Sequence, residues 1–366
     1  MIIDPRPEVA AMSPYTPGMS LSEARRDSGR QQMIKLASNE SLWGPSPHAL
    51  DAARQALDSI SYYPMVQEPE FIQALAGRHG FSADQLIVGN GADEILRVVA
   101  AAYVRCGDEV IYPTPSFSAY RHSALLAGAR PVAVDLASNG ANDLDAMLRA
   151  VTPRTRLVYL CSPNNPTGTA ITPEDWTRYL SAVPASVLTV VDAAYDEFCQ
   201  GERPAFAAAV RSGRPVVWVR TFSKLYGLAA LRVGWAAAPA QVIRNLLRVR
   251  EPFSVNSIGW AAAQASLEDE TYFSRVLQET LEARQFLAGQ LDAMGLRRYR
   301  SEANFMTFAV PVADADVARQ LRQNGFVVRP TSSFGLAGHI RVTVAPVPVV
   351  QAFLSALAAV LNQGMK

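Results

Sequence analysis

Three stretches of this 366-residue chain each close an apolar run with a polar residue able to do chemistry. Leu157-Val-Tyr-Leu160 leads into Cys161-Ser-Pro-Asn-Asn-Pro-Thr-Gly168, with Asn165 at its centre. Val187-Leu-Thr-Val-Val191 leads into Asp192-Ala-Ala-Tyr195, and Val216-Val-Trp-Val219 into Thr221-Phe-Ser-Lys224. Such runs read as fully buried strands. An amine held just beyond a buried strand is desolvated, which disfavours the ammonium and makes the neutral nucleophile accessible near pH 7. Lys224 is therefore the candidate for an imine-forming lysine, followed at close spacing by Gly227, Arg232 and Gly234. Each residue alone also has a plainer reading: Lys224 as a solvated surface lysine, Asp192 and Asn165 as caps.

A fourth stretch suits a phosphate. Leu86-Ile-Val88 reads as a short strand and Gly89-Asn-Gly-Ala-Asp-Glu94 as a turn, after which Ile95, Leu96, Val98, Val99, Ala102 and Tyr103 recur at helical spacing. The start of a helix offers unpaired backbone N–H groups and the positive end of the dipole. The same residues would also serve as an ordinary turn and cap.

The elements that position these groups alternate. Strands at 109–112, 131–135, 157–160, 187–191 and 216–219 are separated by helices at 144–150, 173–180 and 206–211. Near-continuous apolar strands alternating with helices predict an α/β domain with a mostly parallel sheet covered on both faces. Ligands of such a sheet bind beyond the carboxyl ends of the strands, where Asn165, Asp192 and Lys224 all fall. Before the sheet come the turn-rich Pro14-Tyr-Thr-Pro-Gly18, read as an arm, a strand opening at Ile34, and helices at 48–57 and 70–79 with Tyr62-Tyr-Pro64 between them. After Trp235 the pattern changes to helices at 241–250, 257–267 and 270–294, a strand at 304–310, a helix at 314–324, strands at 326–329 and 340–344, and a closing helix at 349–361. This predicts a smaller α+β domain, with the long helix as the hinge. The expected division is an arm and part of the small domain over 1–40, a large cofactor domain over 41–255, and the small domain over 256–366.

Composition narrows the classes. With 34 Lys+Arg against 33 Asp+Glu and no basic run, nothing points to nucleic acid or an anionic membrane. The first residues lack a signal-peptide pattern and no apolar stretch reaches membrane-spanning length, so a cytoplasmic protein is expected. Cys106, Cys161 and Cys199, and the four histidines, are scattered, so neither a disulfide framework nor a metal is expected.

A buried lysine facing an aspartate, with a phosphate nest nearby, is what pyridoxal 5′-phosphate requires. The lysine forms an imine with the aldehyde, and the aspartate pairs with the protonated ring nitrogen so that the ring takes up electrons. Asn165 and Tyr195 would hold the ring's phenolate oxygen and Phe117 would stack on its face. Core packing is the plainer reading of Tyr195 and Phe117.

Ser162-Pro-Asn-Asn-Pro-Thr-Gly168, Asp192-x-x-Tyr195 and Ser223-Lys-x-x-Gly-Leu-x-x-Leu-Arg232-x-Gly234, in that order, resemble the class I/II aminotransferases of fold type I. Pro14-Tyr-x-Pro-Gly18, Leu36-Ala-Ser-Asn-Glu40, Gly91-Ala-Asp-Glu94 and the pair Arg329 and Arg341 resemble, more narrowly, histidinol-phosphate aminotransferases. The resemblance runs from Pro14 to the C-terminal helix. It implies Lys224 as imine lysine and proton-moving base, Asp192 on the pyridinium, and Asn165 and Tyr195 on the phenolate oxygen. It implies Phe117 where a stacking tyrosine is common, and Ala92, Asp93, Ser223 and Arg232 on the phosphate. Tyr63 would reach the phosphate of a partner subunit, which implies a homodimer. Tyr15 and Asn39 would line the substrate pocket, and Arg329 and Arg341 would bind the substrate's anionic end. Four positions depart from the family pattern: Ala193, Ser41-Leu42, Met65-Val-Gln-Glu-Pro69 after Tyr63-Pro64, and Ala345. None touches the imine chemistry; those near the pocket bear on the substrate.

The resemblance implies transamination of histidinol phosphate with glutamate and 2-oxoglutarate as the other pair. An aminotransferase for an aromatic or other amino acid, and a decarboxylase of a phosphorylated amino acid, use the same cofactor. A catalytically silent binding protein would have lost Lys224 or Asp192, and a dinucleotide-dependent dehydrogenase would show a G-x-G-x-x-G after an early strand. The sequence does neither.

Overall fold

The structure is a computed structural model that describes residues 3–10, 12–14 and 17–364. Among these, twelve strands follow in order: β1 (Ile34–Lys35), β2 (Leu86–Asn90), β3 (Glu109–Thr114), β4 (Arg130–Asp135), β5 (Thr155–Cys161), β6 (Leu188–Asp192), β7 (Val216–Thr221), β8 (Val233–Ala237), β9 (Phe305–Ala309), β10 (Phe326–Val327), β11 (Arg329–Pro330) and β12 (His339–Thr343). Seven of them build one sheet in the order β2-β8-β7-β6-β5-β3-β4. The strands from β7 to β4 run parallel, and β8 lies antiparallel between β2 and β7. The α/β architecture with a mostly parallel central sheet is as the sequence predicts.

β8 is the strand that the apolar-run pattern passes over. Val233-Gly-Trp-Ala-Ala237 is short, has Gly234 at its centre and lacks a β-branched run. The glycine is required: a Cβ at Gly234 would collide with the backbone of Gly91 and Ala92. That contact brings β8 against the first turn of the helix Ala92–Tyr103.

Both faces of the sheet are covered. On one, Phe71, Trp176, Tyr179, Phe222 and Trp260 are buried; on the other, Ile95, Leu96, Tyr120, Tyr159 and Leu246. Burying such a side chain contributes about 1.5–3 kcal/mol. Phe222 makes no contact with solvent, at 0% exposure, so its burial pins the backbone that carries Ser223 and Lys224.

A second core belongs to the antiparallel sheet β11-β12-β9, the parallel pair β1-β10, and the helices Asp314–Gln323 and Val347–Gly364. The apolar run expected as one strand over 326–329 divides at Val328, because its first half pairs with β1 and its second with β12. The helix Glu270–Ala293 serves two cores: Phe273 and Val276 pack beside Tyr195 and Leu225, while Ala283, Leu287 and Leu291 pack in the second core. The helix Ser257–Glu268 packs through Trp260, Ala262 and Ala263 into the large core.

Near the N-terminus a helix over Leu21–Ser28 was not anticipated, although Ser20-Leu-Ser-Glu23 carries a capping-box signal. Among the described residues no helix is long and apolar enough to cross a membrane.

Candidate active site

Beyond the carboxyl ends of β5, β6 and β7 lies a cavity of about 250 Å³, lined also by Arg329, Phe334 and Arg341 from the segment of the second core. Register places its chemistry: Cys161 at the end of β5 is paired with Asp192 at the end of β6, and Asp192 with Val219 of β7. Asn165, Asp192 and Lys224 therefore reach one space from three neighbouring strands.

The Lys224 amine stands 5.4 Å from the Tyr195 ring centroid. Burial, reinforced by the positive charge of Arg341, lowers its pKa from 10.5 to about 8. The neutral amine is thus populated near physiological pH. Asp192 is buried, and burial raises its carboxyl to about 6 against the opposing effect of its hydrogen bonds. Tyr120 donates to its Oδ2 at 2.8 Å and the Ala194 amide to its Oδ1 at 3.2 Å. Tyr120 is held in turn by stacking on Tyr159 at 5.0 Å and by an edge contact with Phe117 at 5.9 Å.

Asn165 accepts from Arg341 Nη1 through its Oδ1, which leaves its Nδ2 as a donor. Tyr195 accepts from Asn39 Nδ2 at 3.0 Å, and burial raises its phenol so that it keeps a proton to donate. Two donors are therefore available for one oxyanion. Asn39 has a left-handed φ of 56°, fixed by bonds to Thr343 Oγ1 at 3.0 Å and from Asn304 Nδ2 at 3.1 Å. Its buried Oδ1 has no hydrogen-bond partner among the described residues.

At the other end, Gly91 precedes the helix Ala92–Tyr103 with φ 77°, and a Cβ there would collide with the Arg232 guanidinium. Arg232 itself holds a left-handed φ of 57° and reaches Asp93 Oδ2 and Ser223 Oγ, each at 3.4 Å. A non-glycine residue in this region is uncommon and marks a position held by its surroundings. Helix amides, a hydroxyl and a guanidinium converge there, a donor set that fits a phosphate dianion.

Arg329 and Arg341 lie directly opposite each other on β11 and β12, both buried. Arg341 Nη2 donates to the Ala37 carbonyl at 2.7 Å. Of the residues singled out from the sequence, Ala92, Asp93, Phe117, Asn165, Asp192, Tyr195, Ser223, Lys224, Arg232, Asn39, Arg329 and Arg341 line this one cavity. Tyr63 does not: it is 85% exposed and stacks on Phe253 at 4.9 Å. Tyr15 lies outside the described residues.

Sequence reasoning missed Tyr120, Phe334 and Glu40. Tyr120 sits on an apolar helix face, and nothing local says that its hydroxyl meets Asp192. Phe334 lies in the turn Thr331–Phe334, where an aromatic among Thr, Ser and Gly was a usable sign. Glu40 lines the cavity and pairs with Lys35 at 2.8 Å; its place beside Asn39 was the available hint.

The family described as aminotransferase class I and II matches residues 31–356. The chain is 41% identical to a histidinol-phosphate aminotransferase of Moorella thermoacetica, over 97% of this chain and 92% of that protein. It is also 41% identical to the corresponding protein of Symbiobacterium thermophilum, over 98% and 99%. The crystal structure of a histidinol-phosphate aminotransferase from Sinorhizobium meliloti, in complex with pyridoxal-5′-phosphate, superposes with a TM-score of 0.89 at 27% identity, covering 99% of each chain. A Thermus thermophilus aspartate aminotransferase double mutant shares the fold with a TM-score of 0.85 at 24% identity, over 98% of this chain and all of that one.

Proposed function

The chain belongs to the class I and II aminotransferases, and from that premise we propose that it transfers the amino group of histidinol phosphate to 2-oxoglutarate, with pyridoxal 5′-phosphate as cofactor. The observation that carries this reading is the meeting, in one cavity, of the Lys224 amine, the Asp192 carboxylate and the guanidiniums of Arg329 and Arg341.

The donor set of the cavity fits the cofactor at each of its polar ends. Once bound, pyridoxal phosphate supplies an aldehyde that condenses with amines and a ring that takes up the electrons released at the substrate's α-carbon. The chain's own residues do the rest. The helix-start amides of Ala92 and Asp93, with Ser223 and Arg232, hold the phosphate. Asp192 holds the protonated ring nitrogen, and its hydrogen bond from Tyr120 keeps the carboxylate aimed. Asn165 Nδ2 and the Tyr195 hydroxyl would hold the phenolate oxygen, and Phe117 would cover one face of the ring. Lys224 Nζ, whose affinity for a proton is lowered by burial, would take the proton from the substrate's α-carbon and hold it for return. Arg329 and Arg341 bind the anion common to both amino donors, a phosphate in one and a carboxylate in the other. Asn39 lines the remaining wall, and the resemblance assigns Tyr15 to the same substrate pocket.

The same reading makes the working unit a homodimer. Tyr63, exposed in its own subunit beside exposed Ile60, Tyr62 and Met65, would reach the phosphate in the partner's site. The small domain comprises 256–366 with part of 1–40, around the large cofactor domain 41–255; Ser257–Glu268 is the part of the last segment that packs on the large core. The cytoplasm is the compartment this reading assigns.

The test is a comparison of donors. Purified protein with pyridoxal phosphate is given histidinol phosphate and 2-oxoglutarate, and glutamate is measured. Glutamate formation well above that obtained with phenylalanine or tyrosine supports the reading. Preference for an aromatic donor, or release of carbon dioxide from phosphothreonine, replaces it.

A further inference from the structure

We propose that Phe334 is a specificity-determining residue of this site: its ring sets the spacing of the Arg329 and Arg341 guanidiniums so that together they take a phosphate monoester in preference to a carboxylate. The inference rests on the transamination reading above and assigns the residue that tells its two amino donors apart.

Arg329 and Arg341 are cross-strand partners, and both are buried. Like charges opposed in this way repel, and burial leaves the repulsion little screened. Phe334 answers that repulsion. Its ring centroid lies 5.3 Å from the guanidinium carbon of Arg329 and 5.2 Å from that of Arg341. The face of an aromatic ring carries a negative quadrupole that attracts cations, so one ring serves both guanidiniums.

The ring is placed by a built turn. In Thr331–Phe334, Thr331 Oγ1 lies 2.6 Å from the Leu336 carbonyl oxygen and 3.0 Å from that of His339. The Ser332 amide donates to Asp314 Oδ2 at 2.9 Å. Gly335, with φ 86°, then turns the chain back toward β12 in a conformation that a side chain would strain.

Arg341 has further contacts of its own. It lies over Phe305 at 5.5 Å and donates to Ala37 and Asn165. A carboxylate is matched by a single guanidinium fork. A phosphate monoester presents three oxygens and nearly two charges, and is matched by two guanidiniums at a fixed separation. Removing the surface that fixes their separation therefore weakens the phosphorylated donor and spares the dicarboxylate.

The test uses the cofactor-loaded enzyme and the variants Phe334→Leu, which keeps apolar volume without a ring face, and Phe334→Tyr, which keeps the ring. Phe334→Met replaces Phe334→Leu if that variant does not fold. The ring-less variant is expected to raise KM for histidinol phosphate about tenfold, with kcat and the KM for glutamate within about twofold, while Phe334→Tyr restores the wild-type ratio. Equal rises in both KM values, an unchanged ratio, or a fall in kcat with both donors overturns the proposal. Failure of the function reading looks different: the wild type itself would not turn over histidinol phosphate. In that event, inhibition of whatever half-reaction the enzyme performs decides the ring's role. Phe334→Leu should weaken inhibition by inorganic phosphate about tenfold and leave that by acetate unchanged, and equal effects on both overturn it.

Discussion

The two halves of the cavity are built in opposite ways. The cofactor half is made by β5, β6 and β7, three adjacent parallel strands whose ends are set side by side by register. The substrate half joins segments about three hundred residues apart: Asn39 is fixed by Thr343, and Arg341 by the Ala37 carbonyl. The first half draws its rigidity from a core on both faces of the large sheet, the second from a small sheet with its own core. On the proposed reading, chemistry common to every donor sits on the large parallel sheet, and selection among donors on a separately packed unit. The halves touch through Arg341 to Asn165 and Asn39 to Tyr195, and beside the cavity through Thr307 Oγ1 to the Pro166 carbonyl and the Glu302 amide to the Gly168 carbonyl.

This division predicts that substitutions in the first half act on all donors alike. Lys224→Ala should lower turnover by about 10⁴-fold with either donor while circular dichroism stays unchanged, because the proton-moving base is lost from a site whose fold it does not support. Donor-selective loss would break the comparison. Asp192→Asn should slow both half-reactions about 10²–10³-fold in single-turnover measurements, since the ring nitrogen loses its counter-charge.

Arg341→Gln belongs to the second half but touches the first. It should raise KM for both donors about a hundredfold, the scale of a lost buried charge-assisted pair, as read from initial rates. The same variant sharpens the link between halves. In the wild-type apoprotein, capture of pyridoxal phosphate should speed up as pH rises through about 8, where Lys224 gives up its proton. Arg341 helps to lower that value, so in Arg341→Gln the rise should move to higher pH; stopped-flow absorbance decides. The smallest effect is expected for Tyr120→Phe. Its hydrogen bond opposes the effect of burial on Asp192, so its loss should raise the Asp192 pKa further and slow both half-reactions about three- to tenfold.

The same contrast explains what could be read from the sequence. Asn165, Asp192 and Lys224 each stand just past an apolar run, and a parallel sheet places such positions together whatever the rest of the chain does. β8 escaped because Gly234 interrupts its pattern, although that glycine is what lets the strand approach Ala92. The strand over 326–329 was legible as apolar but not as divided, since a change of pairing partner leaves no mark on alternation. Arg329 and Arg341 became site residues only through the family resemblance; spacing alone does not distinguish them from surface ion pairs. Tyr120 and Phe334 depend on contacts with residues far along the chain, and their own neighbourhoods read as core and turn.

The measurement that bears most directly on this account is a single half-reaction. The protein carrying pyridoxal phosphate is mixed with histidinol phosphate in the absence of any keto acid, and the cofactor's visible absorbance is followed. The account predicts that the band of the lysine-bound cofactor converts fully to that of the amine form, and that phenylalanine, which offers no anion to Arg329 and Arg341 beyond its α-carboxylate, converts it far more slowly. A band that ignores histidinol phosphate but responds to phenylalanine would contradict it.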